Sequence, residues 1–304
     1  MRTELIALQA PYRALCSVAD TRVFELADGR ELAWAEFGVR DGAPVVAFHG
    51  STGSRYHFAS LSDVAASKGV RLIAPDRPGY GHSAYDSARS YESWARDVGQ
   101  LADHLGIDRF AVIGHSSGGP SAAGCARFLG DRLVGCAIVS GLAPPEANIL
   151  KHEMLRSNRI AQRVAPVAPR LMSAVVGAGL RQGSREPDKA LAWMSRALPA
   201  CDVAVIERPE IRVSLRDDLA RPSSTAGRAA VQDLRLELKP WGFCLREIAI
   251  SVHVWHGDSD RNVVIESGIY LANEIPDATL HKVLREGHWL YFDHFHEILD
   301  SLTS

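Results

Sequence analysis

Between an apolar run and a stretch of small residues the sequence places Gly114-His115-Ser116-Ser117-Gly118. A serine hydroxyl at the centre of such a segment can attack a carbonyl carbon if the backbone lifts its Oγ clear of the surroundings. A sharp strand-to-helix turn does this, and the flanking glycines keep side chains out of it. Taken alone, Gly-x-Ser-x-Gly also fits a glycine-rich turn with no chemistry. Its place at a strand-to-helix junction favours Ser116 as the nucleophile. The glycine spacing leaves Ser117 to offer its backbone N–H, at a helix start where free N–H groups face developing negative charge.

A serine needs a base. Of the 12 histidines, most are expected to be structural. His288 differs because it follows Gly287 at a strand–helix junction late in the chain, within Arg285-Glu286-Gly287-His288-Trp289. A histidine there can reach Ser116 Oγ. An acid between them would fix its tautomer and stabilise the imidazolium. Trp255-His256-Gly257-Asp258-Ser259-Asp260 offers two carboxylates, and Asp260 is favoured over Asp258 because it lies farther beyond the strand end. Ser140 occupies the alternative position for an acid, after the preceding core strand. His49-Gly50-Ser51 closes another apolar run. The N–H of Ser51 is expected to pair with that of Ser117 around an oxyanion, while His49 as a second base is the weaker reading, since His-Gly at a strand end generally supports its loop.

These residues need a scaffold. Thr21–Leu26 and Glu31–Phe37 read as a hairpin turning at Gly29. Pro44–Phe48 is a short apolar run suited to burial on both faces of a sheet. Strand and helix patterns then alternate: a helix around Leu61–Ser67, a strand Arg71–Ala74, a helix over Tyr91–Leu105 closed by Gly106, strands Phe110–Ile113 and Leu133–Val139, with a helix through Ala122–Leu129 between them. Residues 146–240 break the rhythm with helical pieces separated by Pro166, Pro169, Pro187, Pro199, Pro209 and Pro222. The alternation returns with a strand Ile248–Trp255, a helix near Val263–Glu274, a strand Thr279–Leu284 and a helix from about Trp289 to Leu302. The pattern predicts an α/β fold, a mostly parallel central sheet flanked by helices. Its core comprises residues 1–145 and 241–304, and 146–240 form a helical cap.

In that cap Trp193, Met154, Met172 and Met194 could line an apolar pocket, although residues at such spacing more often serve core packing. Its many arginines read as solvated faces. The length of 304 residues supports a continuous core without staples, and a net charge of -2 gives no broad attraction to nucleic acid or anionic membrane. The expected partner is a small-molecule substrate, and the oligomeric state is left open. Five scattered cysteines, Cys16, Cys125, Cys136, Cys201 and Cys244, show no metal spacing and read as free thiols. No secretory signal or membrane-length apolar run is evident, so a cytoplasmic location is expected. Neither cofactor nor metal is expected: no Gly-Lys-Ser/Thr follows Gly114, Gly118 and Gly119, no acidic residue about twenty positions on completes a dinucleotide fingerprint, and His253 and His256 lack further ligands.

Together with Asp76-Arg77-Pro78-Gly79-Tyr80-Gly81-His82-Ser83, these segments resemble the successive motifs of the α/β-hydrolase family, over about residues 21 to 302. The resemblance places the family's triad acid on Asp260. The stretch Gly50-Ser51-Thr52-Gly53-Ser54-Arg55 is similar to an actinobacterial-type branch of small-molecule hydrolases. A serine nucleophile separates the chain from the dehalogenase and epoxide-hydrolase branches, which use a carboxylate, and it lacks the HGGG run of one lipase and esterase branch. The implied function is hydrolysis of a small-molecule ester or related acyl bond. Carbon–carbon, lactone or amide cleavage on the same triad, a low-turnover ligand-binding protein, and a non-hydrolytic cyclase or lyase are the alternatives.

Overall fold

Apolar runs bounded by glycine and proline turns form eight strands of one sheet in the computed structural model, which describes residues 21–149, 152–221 and 223–303. The amino-terminal segment read for a leader, Cys16 and Pro222 lie outside the described residues. The strands are β1 (Arg22–Glu25), β2 (Glu31–Gly38), β3 (Ala43–Phe48), β4 (Val70–Pro75), β5 (Phe110–His115), β6 (Leu133–Val139), β7 (Val252–Gly257) and β8 (Ala278–Val283). Their order is β1-β2-β4-β3-β5-β6-β7-β8. The hairpin of β1 and β2 pairs antiparallel, with Glu25 opposite Glu31 and Gly29 at φ 83, and β2 joins β4 antiparallel. From β4 to β8 every pairing is parallel.

Parallel strands need crossovers, and the helices that provide them cover both faces. In the core these are α1 (Ser62–Ser67), α2 (Tyr91–His104), α3 (Gly118–Phe128), α10 (Ile265–Glu274) and α11 (Tyr291–Thr303). Successive residues of β3 and β5 alternate between the two cores. Val46, Phe48 and Val112 pack with Trp94, Val98 and Leu101 of α2 on one face. Val45, Ala47, Ala111 and Ile113 pack with Phe295, Ile298 and Leu299 of α11 on the other. Burial on both sides explains why these strands carry no polar alternation. The start of α2 is set by Ser90, whose Oγ accepts the Ser93 N–H at 3.0 Å while Ser93 Oγ accepts the Ser90 N–H at 2.9 Å.

Six helices fill the gap between β6 and β7: α4 (Arg156–Val164), α5 (Pro169–Arg185), α6 (Pro187–Ser195), α7 (Ala200–Ile206), α8 (Pro209–Leu219) and α9 (Ala226–Glu237). Prolines open α5, α6 and α8, where a missing N–H costs no helical bond. Two expectations are corrected. β7 begins at Val252, not Ile248: Ile248 follows a short 3₁₀ turn and is buried in the core, so its apolarity serves packing rather than a ladder. Trp193 is 68% exposed and lines no pocket with the methionines.

Candidate active site

The carboxyl ends of the parallel strands face the helical insertion, and backbone strain gathers there. Four non-glycine residues with positive φ lie just past strand ends: Thr52 (67) after β3, Ser116 (55) after β5, Ser140 (48) after β6 and Arg285 (62) after β8. Such conformations persist only where the surroundings impose them. At Ser116 two hydrogen bonds do so: its N–H donates to Val139 O at 3.0 Å, and its carbonyl accepts Gly119 N–H at 2.8 Å. The glycines are sterically required. A Cβ on Gly114 would stand 2.1 Å from Gly118 O, and one on Gly118 would stand 2.3 Å from Phe48 O.

A cavity of about 350 Å³ opens above this turn. Ser116, Ser117, Ser51, Gly50 and His288 line it from the core; Met154, Met172, Met194 and Leu198 line it from the insertion. His288 sits after β8 with its Nδ1 2.7 Å from Asp260 Oδ2. An ionised carboxylate only accepts, so Nδ1 carries the proton and Nε2 keeps its lone pair. Asp260 is itself fixed, for its Oδ1 accepts the N–H groups of Asn262 at 2.7 Å and Val263 at 3.0 Å. Asp258 instead ties two strand ends together, accepting the Arg285 N–H at 2.7 Å. Burial disfavours the His288 imidazolium, but Asp260 and then Asp202 outweigh it, and the ring is held above its ordinary pKa.

Around these groups lie residues with no sequence signature of their own. Asp202, on α7 and 1% exposed, accepts the Trp289 N–H at 3.1 Å and so pins the His288 loop to the insertion. Burial raises its carboxyl to about 6, against the pull of His288. His115 Nε2 donates to the His288 carbonyl at 3.0 Å, which leaves Nδ1 to accept from His57 Nε2 at 3.1 Å. Burial, then neighbouring His288 and His57, holds His115 well below the ordinary range, so this ring is a neutral strut. His49 is likewise engaged on both nitrogens: Nδ1 donates to Gly50 O at 2.8 Å and Nε2 accepts the Arg77 N–H at 3.0 Å. It holds the loop that presents Ser51. Among the described residues, the N–H groups of Ser51 and Ser117 have no protein acceptor.

Below α9 the Asp76–Gly81 turn joins a buried ionic cluster. Asp233 of α9 meets Arg77 at 2.9 Å, accepts the Tyr80 hydroxyl at 2.6 Å and pairs with Arg89.

The family model described as alpha/beta hydrolase fold matches residues 43–295. The chain belongs to the α/β-hydrolase family. Among curated members, a non-heme chloroperoxidase of Streptomyces lividans is 34% identical over 119 residues, which is 38% of this chain and 43% of that protein. Haloalkane dehalogenase 2 of Mycobacterium tuberculosis is 27% identical over 213 residues, 60% of this chain and 73% of that one. The chain thus spans less than half the length of the haloperoxidase relatives it matches. Among solved α/β-hydrolase structures, the enol-lactonase from Burkholderia xenovorans LB400 superposes with a TM-score of 0.68 at 21% identity, covering 93% of this chain and 100% of that one. A thermophilic esterase from Thermogutta terrifontis gives 0.64 at 22%, covering 93% and 96%. These two share the fold. Among the described residues no cluster of three or more His, Cys, Asp or Glu could hold a metal ion, and no helix is long and apolar enough to cross a membrane.

Proposed function

We propose that this α/β hydrolase cleaves a small-molecule ester through an acyl-enzyme on Ser116. The observation that carries the reading is the strained Ser116 turn opening into the same cavity as His288, whose Nδ1 is held 2.7 Å from Asp260. His288 Nε2 takes the Ser116 proton as Oγ attacks the carbonyl carbon. The N–H groups of Ser51 and Ser117 hold the oxyanion, each worth about 3–4 kcal/mol in a preorganised site. The imidazolium, steadied by Asp260, then protonates the leaving alcohol. Water attacks the acyl-serine by the reverse path and releases the acid.

The nucleophile also bears on the dehalogenase relative. A carboxylate that displaces halide forms an ester, which water can open at its carbonyl. A serine would form an ether, which has no carbonyl and would stay on the protein. Ester chemistry therefore fits Ser116 and halide displacement does not. Residues 146–240 act in this reading as a substrate-selecting cap, and a cavity of about 350 Å³ lies at the small end of ligand sites. The flexible thioethers of Met154, Met172 and Met194 suit an apolar acyl chain. The test is turnover of p-nitrophenyl acetate and butyrate by the wild type and by Ser116→Ala. A loss of about 10³-fold or more is expected; equal rates would remove Ser116 from the mechanism.

A further inference from the structure

The cap closes the cavity with one charged residue that the acyl-transfer mechanism leaves unused. Glu237, the last residue of α9, is 7% exposed and lines both the Ser116 cavity and an adjoining chamber of about 130 Å³. Gln162 of α4 stands at the same junction, lining both spaces with Leu142, Met154 and Val263. Neither Glu237 Oε1 nor Gln162 Oε1 has a hydrogen-bond partner, although both atoms are buried. Buried acceptors are satisfied in nearly all native structures, so an unpaired one on a cavity wall is a place where water or a bound ligand can supply the donor. Arg77 and Arg89 make their ion pairs with Asp233, and Glu237 supplies the second negative charge of this cluster without receiving a donor at its Oε1. Burial, then the charge of Asp233, raises the Glu237 carboxyl to about 7, against the Ser117 hydroxyl and the charges of Arg77 and Arg89.

We infer that the substrate carries a hydrogen-bond-donating group, a hydroxyl or an amine, which Glu237 and Gln162 bind while the scissile carbonyl lies at Ser116. The inference rests on the ester-hydrolase reading for its placement of the carbonyl. Glu237 is then a specificity residue: a purely apolar acyl chain would leave both acceptors unpaired, and a chain with a donor would complete them. The adjoining chamber gives that end of the substrate room beyond the methionine-lined part of the cavity.

The test compares p-nitrophenyl esters of four to eight carbons with the same chains ending in a hydroxyl or an ammonium group, in the wild type, Glu237→Gln, Glu237→Leu and Gln162→Met. At the best-fitting length the wild type should favour a donor-ended ester over its apolar counterpart by roughly tenfold in kcat/KM. Glu237→Leu should bring that ratio close to one, and Gln162→Met should lower it severalfold. Glu237→Gln, which still accepts a hydrogen bond, should keep a preference for the hydroxyl but lose one for the ammonium. That contrast identifies which donor is read. No preference at any length in the wild type, or an unchanged ratio in both Glu237→Leu and Gln162→Met, would overturn the inference. If no ester is turned over, the hydrolase reading fails separately. Calorimetric titration of hexane-1,6-diol and 6-aminohexan-1-ol against hexan-1-ol then decides: tighter binding of a donor-ended alcohol that Glu237→Leu abolishes supports the inference, and equal affinities overturn it.

Discussion

At the scale of residues, the proposed base is governed by two carboxylates on opposite sides. Asp260 holds His288 Nδ1 from the core, and Asp202 approaches from the insertion while accepting the Trp289 N–H. A general base must be neutral, and a raised pKa keeps His288 protonated to higher pH. The acid limb of kcat/KM is therefore expected above the pH 6.5 usual for imidazole. Asp202→Asn removes one stabiliser of the imidazolium, so the limb should move to lower pH; an unmoved limb would show that Asp202 only anchors the loop. Asp260→Asn should cost more, on the order of 10³–10⁴ in kcat, because an amide can trap the wrong tautomer. The strand-end turns that carry Ser116, His288 and Asp260 were legible because each has its signature in adjacent residues. Asp202, Glu237 and Gln162 were not. Asp202 reads as an ordinary acid in a helix's first turn and Glu237 as part of a charged helical face. Only the folding of the insertion over the sheet brings them to the cavity.

At the scale of elements, sterics and propensity act in opposite directions on two glycines. Gly118 opens α3 against the backbone of β3, where a Cβ would meet Phe48 O at 2.3 Å. Gly118→Ala should cost about 1–3 kcal/mol or more through a forced backbone shift. Gly179 lies within α5, and an added methyl there would meet nothing within 4 Å. Gly179→Ala should stabilise by about 0.5–1 kcal/mol through helix propensity. Thermal melting of the two variants should shift Tm in opposite senses. The strands themselves were legible wherever burial on both faces leaves a purely apolar run, as in β3, β5 and β6. The start of β7 was not, because Ile248 is apolar for packing on the core and periodicity cannot distinguish that from a place in the ladder. Trp193 misled for the converse reason: a large apolar side chain on a helix carries no mark of which face meets the core.

At the scale of the whole molecule, the insertion is bound to the core by buried charge as well as by apolar contact. Asp233 of α9 serves Arg77, Arg89 and the Tyr80 hydroxyl together. Asp233→Ala would leave two buried guanidinium groups without their direct ion-pair partner, and urea unfolding should show a loss of about 3–5 kcal/mol. A loss below about 1 kcal/mol would mean that the cluster relaxes toward Glu237 or water. The path of the chain adds a kinetic consequence. β3 to β6, which carry Ser116, are near neighbours in sequence, whereas β7 pairs with β6 only after the entire insertion has intervened. Closing that longer loop costs only modestly more entropy than the closures among β3 to β6, which are themselves non-local. Asp260 and His288 follow β7 and β8, so they meet Ser116 only through pairings that span the insertion. Under the proposed mechanism, a chain that has not yet paired β7 with β6 would hold its nucleophile without a base.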